Sequence, residues 1–261
     1  MTQPYELTAS EARKLIGQKK ISSVELLKSC LDRIEKVNPI INAIVAIDQS
    51  VAIENAKQAD KKTLNGEELN LLHGLPVGIK DLCMVKNLRS TSGSLINENH
   101  IPNEDDEIVK KIRNEGGIIF CKTNTPEFGA GGNTTNKVYG TTVNPFDIKK
   151  SAAGSSGGSA AALACDMLPL ANGSDYGGSL RTPSGFCGVS GFRPSPGIVP
   201  TVDSSICLNP FSVQGPMGKN VIDTFLLLQA QADINCNDPF SSFNSLSLPE
   251  SLNESDLSSI K

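Results

Sequence analysis

The chain has 261 residues, 38% hydrophobic and 20% charged, with 24 Lys and Arg against 28 Asp and Glu for a formal net charge of -4. Such a composition supports a substantial buried core and excludes a disordered or fibrous chain, and its mild acidity argues against a broad electrostatic grip on nucleic acid. No stretch approaches the ~20 consecutive apolar residues of a membrane-spanning helix, and residues 1–6 carry neither a basic nor an apolar leader pattern, so a cytoplasmic enzyme is expected.

In chain order, Thr8 with Glu11 and Ser22 with Glu25 form two capping boxes, which start two helices. The second presents Val24, Leu27, Leu31 and Ile34 on one face and is expected to stop at Asn38-Pro39. Residues 41–47 read as a strand or buried turn and residues 49–62 as a helix. The apolar run 75–79 reads as a strand that delivers Lys80 at its carboxyl end. A helix over 105–115 with Ile108, Val109 and Ile112 inward is closed by Gly116-Gly117 and followed by a buried strand over 118–121. An alanine-rich helix is expected over 159–165, its free N–H groups facing the glycine-rich loop before it. The proline- and glycine-punctuated run 194–210 reads as a surface crossing, and 221–231 as a last helix. From Asn235 the sequence turns polar. The expected organisation is one domain over 1–240 and a disordered tail over 241–261.

Two segments carry the chemistry. Ala153-Gly154-Ser155-Ser156-Gly157-Gly158-Ser159 is followed, 24 residues after Ser155, by Ser179 within Gly173-Ser174-Asp175-Tyr176-Gly177-Gly178-Ser179-Leu180-Arg181. Glycine lets main-chain N–H groups turn toward a carbonyl oxygen or an anion, so each loop can hold a hydroxyl beside a nest of donors. Gly-Ser loops also serve as plain turns or phosphate cradles, but the Gly-x-x-x-x-Gly-Lys-Ser/Thr pattern is absent. A Ser-His-Asp arrangement needs an imidazole, and the chain has only His73 and His100, both read as structural or solvated. Lys80 is the remaining candidate base, because a lysine desolvated at the end of a buried strand loses its proton near neutral pH. The seven cysteines include no Cys-x-x-Cys pair and no histidine at metal-ligand spacing, so they read as reduced; no metal and no cofactor are expected.

These segments, together with His73-Gly74-Leu75-Pro76-Val77-Gly78-Ile79-Lys80-Asp81, Lys122-Thr123-Asn124-Thr125-Pro126-Glu127-Phe128, Asn144-Pro145-Phe146 and Gly215-Pro216-Met217, resemble in kind and order the amidase signature hydrolases. The resemblance runs from Thr8 to about Ser242. It implies an α/β fold, a mixed β-sheet sandwiched between helix layers. It implies Lys80 as base, Ser155 as a serine after a cis peptide that relays protons, and Ser179 as nucleophile. The main-chain N–H groups of Tyr176, Gly177, Gly178 and Ser179 would form the oxyanion hole. Asp175 and Arg181, six residues apart across the nucleophile loop, are expected to brace it as a buried ion pair.

The sequence departs from the family pattern in three local places. Ala153-Gly154 stands for the usual Gly-Gly, Lys219 for an arginine after Gly-Pro-Met, and Ile198 for an arginine after Pro-x-Gly. The larger departure is length, since family members are usually close to twice this size and their carboxyl half completes the sheet and much of the acyl pocket. Three functions follow from the resemblance: an amidase acting on a small-molecule amide, completed by homo-oligomerisation; a complementing subunit that deamidates glutamine in a tRNA-dependent amidotransferase; or a non-catalytic binding subunit. The run from Asn124 to Thr134 favours the first, because the Met-Gly-Ser-Ser of the amidotransferase glutaminase is absent. Neither a membrane nor direct nucleic-acid binding is expected.

Overall fold

The structure is a computed structural model that describes residues 3–202, 208–241, 248–249 and 252. Its helices and strands, in chain order, are α1 Ala9–Gly17, α2 Ser23–Ile41, β1 Ile44–Ile47, α3 Gln49–Asn65, β2 Pro76–Lys80, α4 Glu107–Asn114 and β3 Ile118–Thr123. The short pair β4 Thr135–Asn136 and β5 Gly140–Thr141 follows, then α5 Gly157–Ala164, β6 Leu170–Asp175, α6 Arg181–Cys187, β7 Ser190–Gly191, β8 Val213–Gly218 and α7 Val221–Gln231. Six strands form one sheet in the order β1-β3-β2-β6-β8-β7. The centre, β3-β2-β6, is parallel, and β1, β8 and β7 pair antiparallel at the flanks. This is the mixed α/β layering that the sequence implied.

Alternation along the strands divides the interior in two. On one face, Ile118, Phe120, Ala171 and Met217 pack against Leu27 and Ile34 of α2, Ala52 and Ala56 of α3 and Ala160 to Leu163 of α5. On the other, Val77, Ile79, Ile119 and Leu170 meet Ala12 and Ile16 of α1, Ile108, Val109 and Ile112 of α4, and Leu227 and Leu228 of α7. Since Val77 and Ile79 face α1 and α4, Gly78 and Lys80 face the α5 side. A Cβ on Gly78 would lie 2.4 Å from Leu168 Cδ1, so β2 has no room for a side chain at that position, two residues before Lys80.

Both capping boxes form. Glu11 N–H donates to Thr8 Oγ1 (3.2 Å) and Thr8 N–H to Glu11 Oε2 (2.9 Å), and the Ser22 and Glu25 pair repeats the pattern at 3.0 and 2.7 Å. The expected stop at Asn38-Pro39 is corrected: α2 runs through Pro39 to Ile41 and ends on Asn42, which is left-handed at φ 55°. Asn42 N–H donates to Asn38 O at 2.7 Å, while the Asn38 side chain accepts from Ala43 and Ile44 N–H and donates to Ile44 O. These bonds close the helix end beyond the proline and lead the chain into β1. The expected helix over 159–165 begins two residues earlier, at Gly157, because the glycines themselves form its first turn. Strands β6 and β8, edge strand β7 and helix α6 had no counterpart in the sequence reading. The tail expected over 241–261 lies mostly outside the described residues; Ser241 itself is buried, its Oγ accepting from Asn235 N–H at 2.9 Å. Among the described residues no helix is long and apolar enough to cross a membrane.

Candidate active site

Lys80 ends β2 and is fully buried. Its main-chain N–H donates to Asn172 Oδ1 on the neighbouring β6 at 2.7 Å, which locks the strand end against the strand that leads into the Ser179 loop. Its Nζ lies 2.7 Å from Ser155 Oγ, 2.9 Å from Ser156 Oγ and 2.9 Å from Ser174 Oγ. Burial holds the amine well below the ordinary lysine value, at about 7, against a smaller upward pull from Cys83 and Asp175. Among the described residues no carboxylate bonds to it. The amine is therefore half-deprotonated near neutrality, with three hydroxyls around it.

Ser155 follows a cis Gly154-Ser155 peptide and is 3% exposed. Its loop is held by bonds that the surrounding glycines permit. A Cβ on Gly154 would lie 2.9 Å from Gly131 O, and one on Gly157 2.3 Å from Thr134 Oγ1. Thr134 Oγ1 in turn accepts from Gly157 N–H (3.1 Å) and donates to Ala153 O (2.8 Å). Gly129, left-handed at φ 73°, covers Ser155: a Cβ there would reach within 3.6 Å of Ser155 Oγ and 2.7 Å of Leu82. The buried helix α5 then starts at Gly157, after Ser156 as its N-cap, and Gly158 presses so close to the chain leaving β3 that a Cβ would meet Asn124 N at 2.2 Å.

Ser179 is half-buried in the turn between β6 and α6. Its carbonyl accepts from Ser156 N–H at 3.3 Å, which ties the two serine loops together. The hydrogen bonds among the described residues do not include one at Ser179 Oγ. Asp175 organises the loop from below. Its buried carboxylate accepts from Gly178 N–H (2.8 Å), Leu180 N–H (3.1 Å), Arg181 Nε (3.0 Å) and Arg193 Nη1 (2.8 Å). Burial alone would raise its pKa, but Arg181, the two main-chain N–H groups and Arg193 outweigh burial and hold it below the usual carboxylate range. The pair expected with Arg181 forms, although Arg181 is 57% exposed; the more enclosed partner is Arg193, 22% exposed, which also bonds Asp175 O and, at 3.0 Å, Phe211 O. Of the four N–H groups expected to face an oxyanion, Gly178 N–H is directed at Asp175. Those of Tyr176, Gly177 and Ser179 have no hydrogen bond among the described residues.

A second buried cation lies beside the first. Lys122 on β3 and Asp81, the residue after Lys80, are both fully buried and pair at 3.1 Å. Lys122 also donates to Ser90 Oγ (2.7 Å) and to Cys83 O, and Asp81 accepts from Thr91 Oγ1 (2.7 Å). His73 is remote from the serines in its contacts, bonding Thr63 Oγ1 (2.9 Å) and Ala59 O (3.1 Å), and burial lowers its pKa. His100 is exposed. Lys219, which departs from the family pattern, bridges Asp166 (2.5 Å) and the carbonyls of Tyr5 and Leu7. Ser156, Ser174, Asn172 and Arg193 are the site neighbours that sequence reasoning missed. Ser156 and Ser174 stood in the quoted loops, and a serine beside a buried lysine was the available signal.

The geometry brings a buried lysine amine and a serine hydroxyl within 2.7 Å of each other, on a mixed sheet between helix layers. The sequence profile of the family described as Amidase matches residues 25–257, and the chain belongs to that family. The A-type subunit of glutamyl-tRNA(Gln) amidotransferase from Thermoanaerobacter pseudethanolicus is 41% identical over 224 residues, 86% of this chain and 46% of that protein. Among solved structures, a bacterial aryl acylamidase of the amidase signature family superposes with a TM-score of 0.85 at 32% identity, covering 90% of this chain and 49% of its own. A protein from a vestigial complex tied to the origins of an s-triazine catabolic enzyme gives 0.85 at 30% identity, covering 90% and 51%. The chain thus spans about half the length of the relatives it matches.

Proposed function

We propose that this chain is an amidase that hydrolyses a small-molecule carboxylic amide through a Ser179 acyl-enzyme. The observation that carries the reading is Lys80, buried and titrating at about 7, with its Nζ 2.7 Å from Ser155 Oγ. Neutral Lys80 takes the Ser155 proton as Ser155 takes that of Ser179, and the Ser179 oxygen adds to the amide carbon. The tetrahedral oxyanion meets the unspent N–H groups of Tyr176, Gly177 and Ser179, a kind of donor whose loss costs about 3 kcal/mol of barrier. Proton return through Ser155 releases ammonia or an amine, and water resolves the ester by the reverse relay. A Ser155 to Ser179 bond absent from the free protein is consistent with this scheme, since such contacts tighten when substrate binds.

The 41% identity to the A-type protein of an amidotransferase supports a second reading, glutamine deamidation within a complex. Either reading admits a homo-oligomer or a complementing subunit as partner, with the reaction in the cytoplasm. A serine-directed fluorophosphonate labels the intact chain and not Ser179→Ala. Absence of labelling in folded protein would leave a binding subunit. Ammonia release by the chain alone from simple amides supports the amidase; release from glutamine only, and only with a partner, would replace it with the second reading.

A further inference from the structure

Three hydroxyls around one amine impose a count. An ammonium has three N–H donors and no acceptor, so while Lys80 is charged all three serines accept from it and none can pass it a proton. A neutral amine has two N–H groups and one lone pair. It can receive a proton from one hydroxyl only if the other two accept its N–H groups. Nothing in the lysine side chain itself decides which hydroxyl that is, because rotation about Cε–Nζ exchanges the three directions.

The neighbours decide it. Ser156 Oγ receives Ser174 N–H at 3.3 Å and its own proton points to Ser174 O at 3.3 Å, so its remaining lone pair can only accept from Lys80. Ser174, unlike Ser155, is half-buried, and among the described residues its hydroxyl has the amine as its one hydrogen-bond partner, so its oxygen accepts the second N–H with its own proton turned away from the amine. Ser155 is 3% exposed under Gly129 and has the shortest contact, 2.7 Å. With two N–H groups spent, the lone pair faces Ser155.

We infer that Ser156 and Ser174 are positioning residues that hold the two N–H groups of neutral Lys80 and so aim its lone pair at Ser155. They act twice. Before proton transfer they fix the direction of the amine, and after it they accept two of the three N–H groups of the ammonium. The transfer balances: the Ser155 O–H bond breaks as an N–H bond forms, and the proton that Ser155 loses is replaced by that of Ser179. The inference rests on the lysine-based reading of the site.

The test measures the pH dependence of Ser179 labelling by a fluorophosphonate probe in the full chain, wild type against Ser174→Ala, Ser174→Thr and Ser156→Ala. Removing an acceptor destabilises the ammonium, so the labelling midpoint of Ser174→Ala moves down by about one to two pH units and its plateau rate falls about 10- to 100-fold. Ser174→Thr keeps the oxygen and restores both midpoint and rate. Ser156→Ala moves the midpoint in the same direction, and carries the test if Ser174→Ala does not fold. A slower variant whose midpoint stays at the wild-type pH overturns the inference while leaving the proposed function standing. A wild-type chain that is folded and unlabelled sinks the function itself, and the inference with it.

Discussion

Replacing Lys80 by Met tests the base through stability rather than turnover. Met keeps an unbranched chain of similar length in the same buried slot and removes the proton site. The wild-type amine titrates at about 7 in the fold and at 10.5 when unfolded, so between those values the unfolded chain binds one more proton than the folded one. The contribution of Lys80 to stability is therefore fully present above 10.5 and is lost as pH falls toward 7. Linkage gives a slope of about 1.4 kcal/mol per pH unit within that window, or roughly two to three kcal/mol between pH 7.5 and 9.5. Lys80 is fully buried, so solvent screening does not reduce that figure. Other titrating groups are common to both proteins and cancel in the difference. Cys83, close to the amine, is pushed up to about 11 by burial and remains a thiol across this range. Urea unfolding of both proteins at pH 7.5, 8.5 and 9.5 measures the effect as the wild-type minus Lys80→Met free energy, with equal m-values as the check on comparability. A difference that rises by between two and three kcal/mol bears out a depressed lysine. Parallel profiles would mean that Lys80 is an ordinary ammonium at pH 8, unable to accept a proton, and the serine relay would lose its base.

Lys122→Met leaves Asp81 buried without its cation and is expected to cost about 3–5 kcal/mol, much of it recovered in Lys122→Met with Asp81→Leu; a double-mutant cycle in urea measures the coupling. Arg193→Ala frees part of the Asp175 carboxylate and should destabilise by about 1–3 kcal/mol, more than Arg181→Ala, whose guanidinium stands in solvent; thermal melts of the two variants give the order. Gly158→Ala places a methyl 2.2 Å from Asn124 N and 2.6 Å from Asn124 O, backbone atoms that cannot swing aside, and should cost about 3 kcal/mol or more. Gly177→Ala meets nothing within 4 Å and should fold with wild-type stability in the same denaturation assay.

The helical layers were legible because their signals are local. Thr8, Glu11, Ser22 and Glu25 satisfy N–H groups within three residues of themselves, and the apolar spacing of Ile108, Val109 and Ile112 needs only a 3.6-residue period to be read. Helix α7 was found with its observed bounds for the same reason. Strand β2 was legible because Leu75 to Ile79 is an apolar run that ends on a charge, and a charge ending a buried run marks an expensive site. Pro39 misled the reading. The penalty of an internal proline is real, but a side chain one residue earlier, Asn38, caps the helix end beyond it with bonds that no propensity scale contains.

The other half of the site is built from strands that do not look like strands. β6 reads Leu-Ala-Asn-Gly-Ser-Asp and β8 Val-Gln-Gly-Pro-Met-Gly, sequences rich in residues that sheets disfavour. They pair across six positions because each residue has a partner that only the fold supplies. Asn172 holds Lys80 N–H, Gly173 leaves space for Leu180 and Met217, Ser174 meets the amine, Asp175 anchors the Ser179 loop, and Pro216 offers its carbonyl to Phe192. A substitution of Asn172, Gly173, Ser174 or Asp175 toward a better strand former would remove one of these contacts. Poor strand propensity and function are here the same fact: the strand gave up apolar packing at the positions where the lysine and the loop need polar partners. The Ser-x-x-x-x-Ser run from Ser174 to Ser179, read as one loop, is therefore better read as a strand and its turn, with the first serine against the Lys80 amine and the second in the turn that Asp175 anchors.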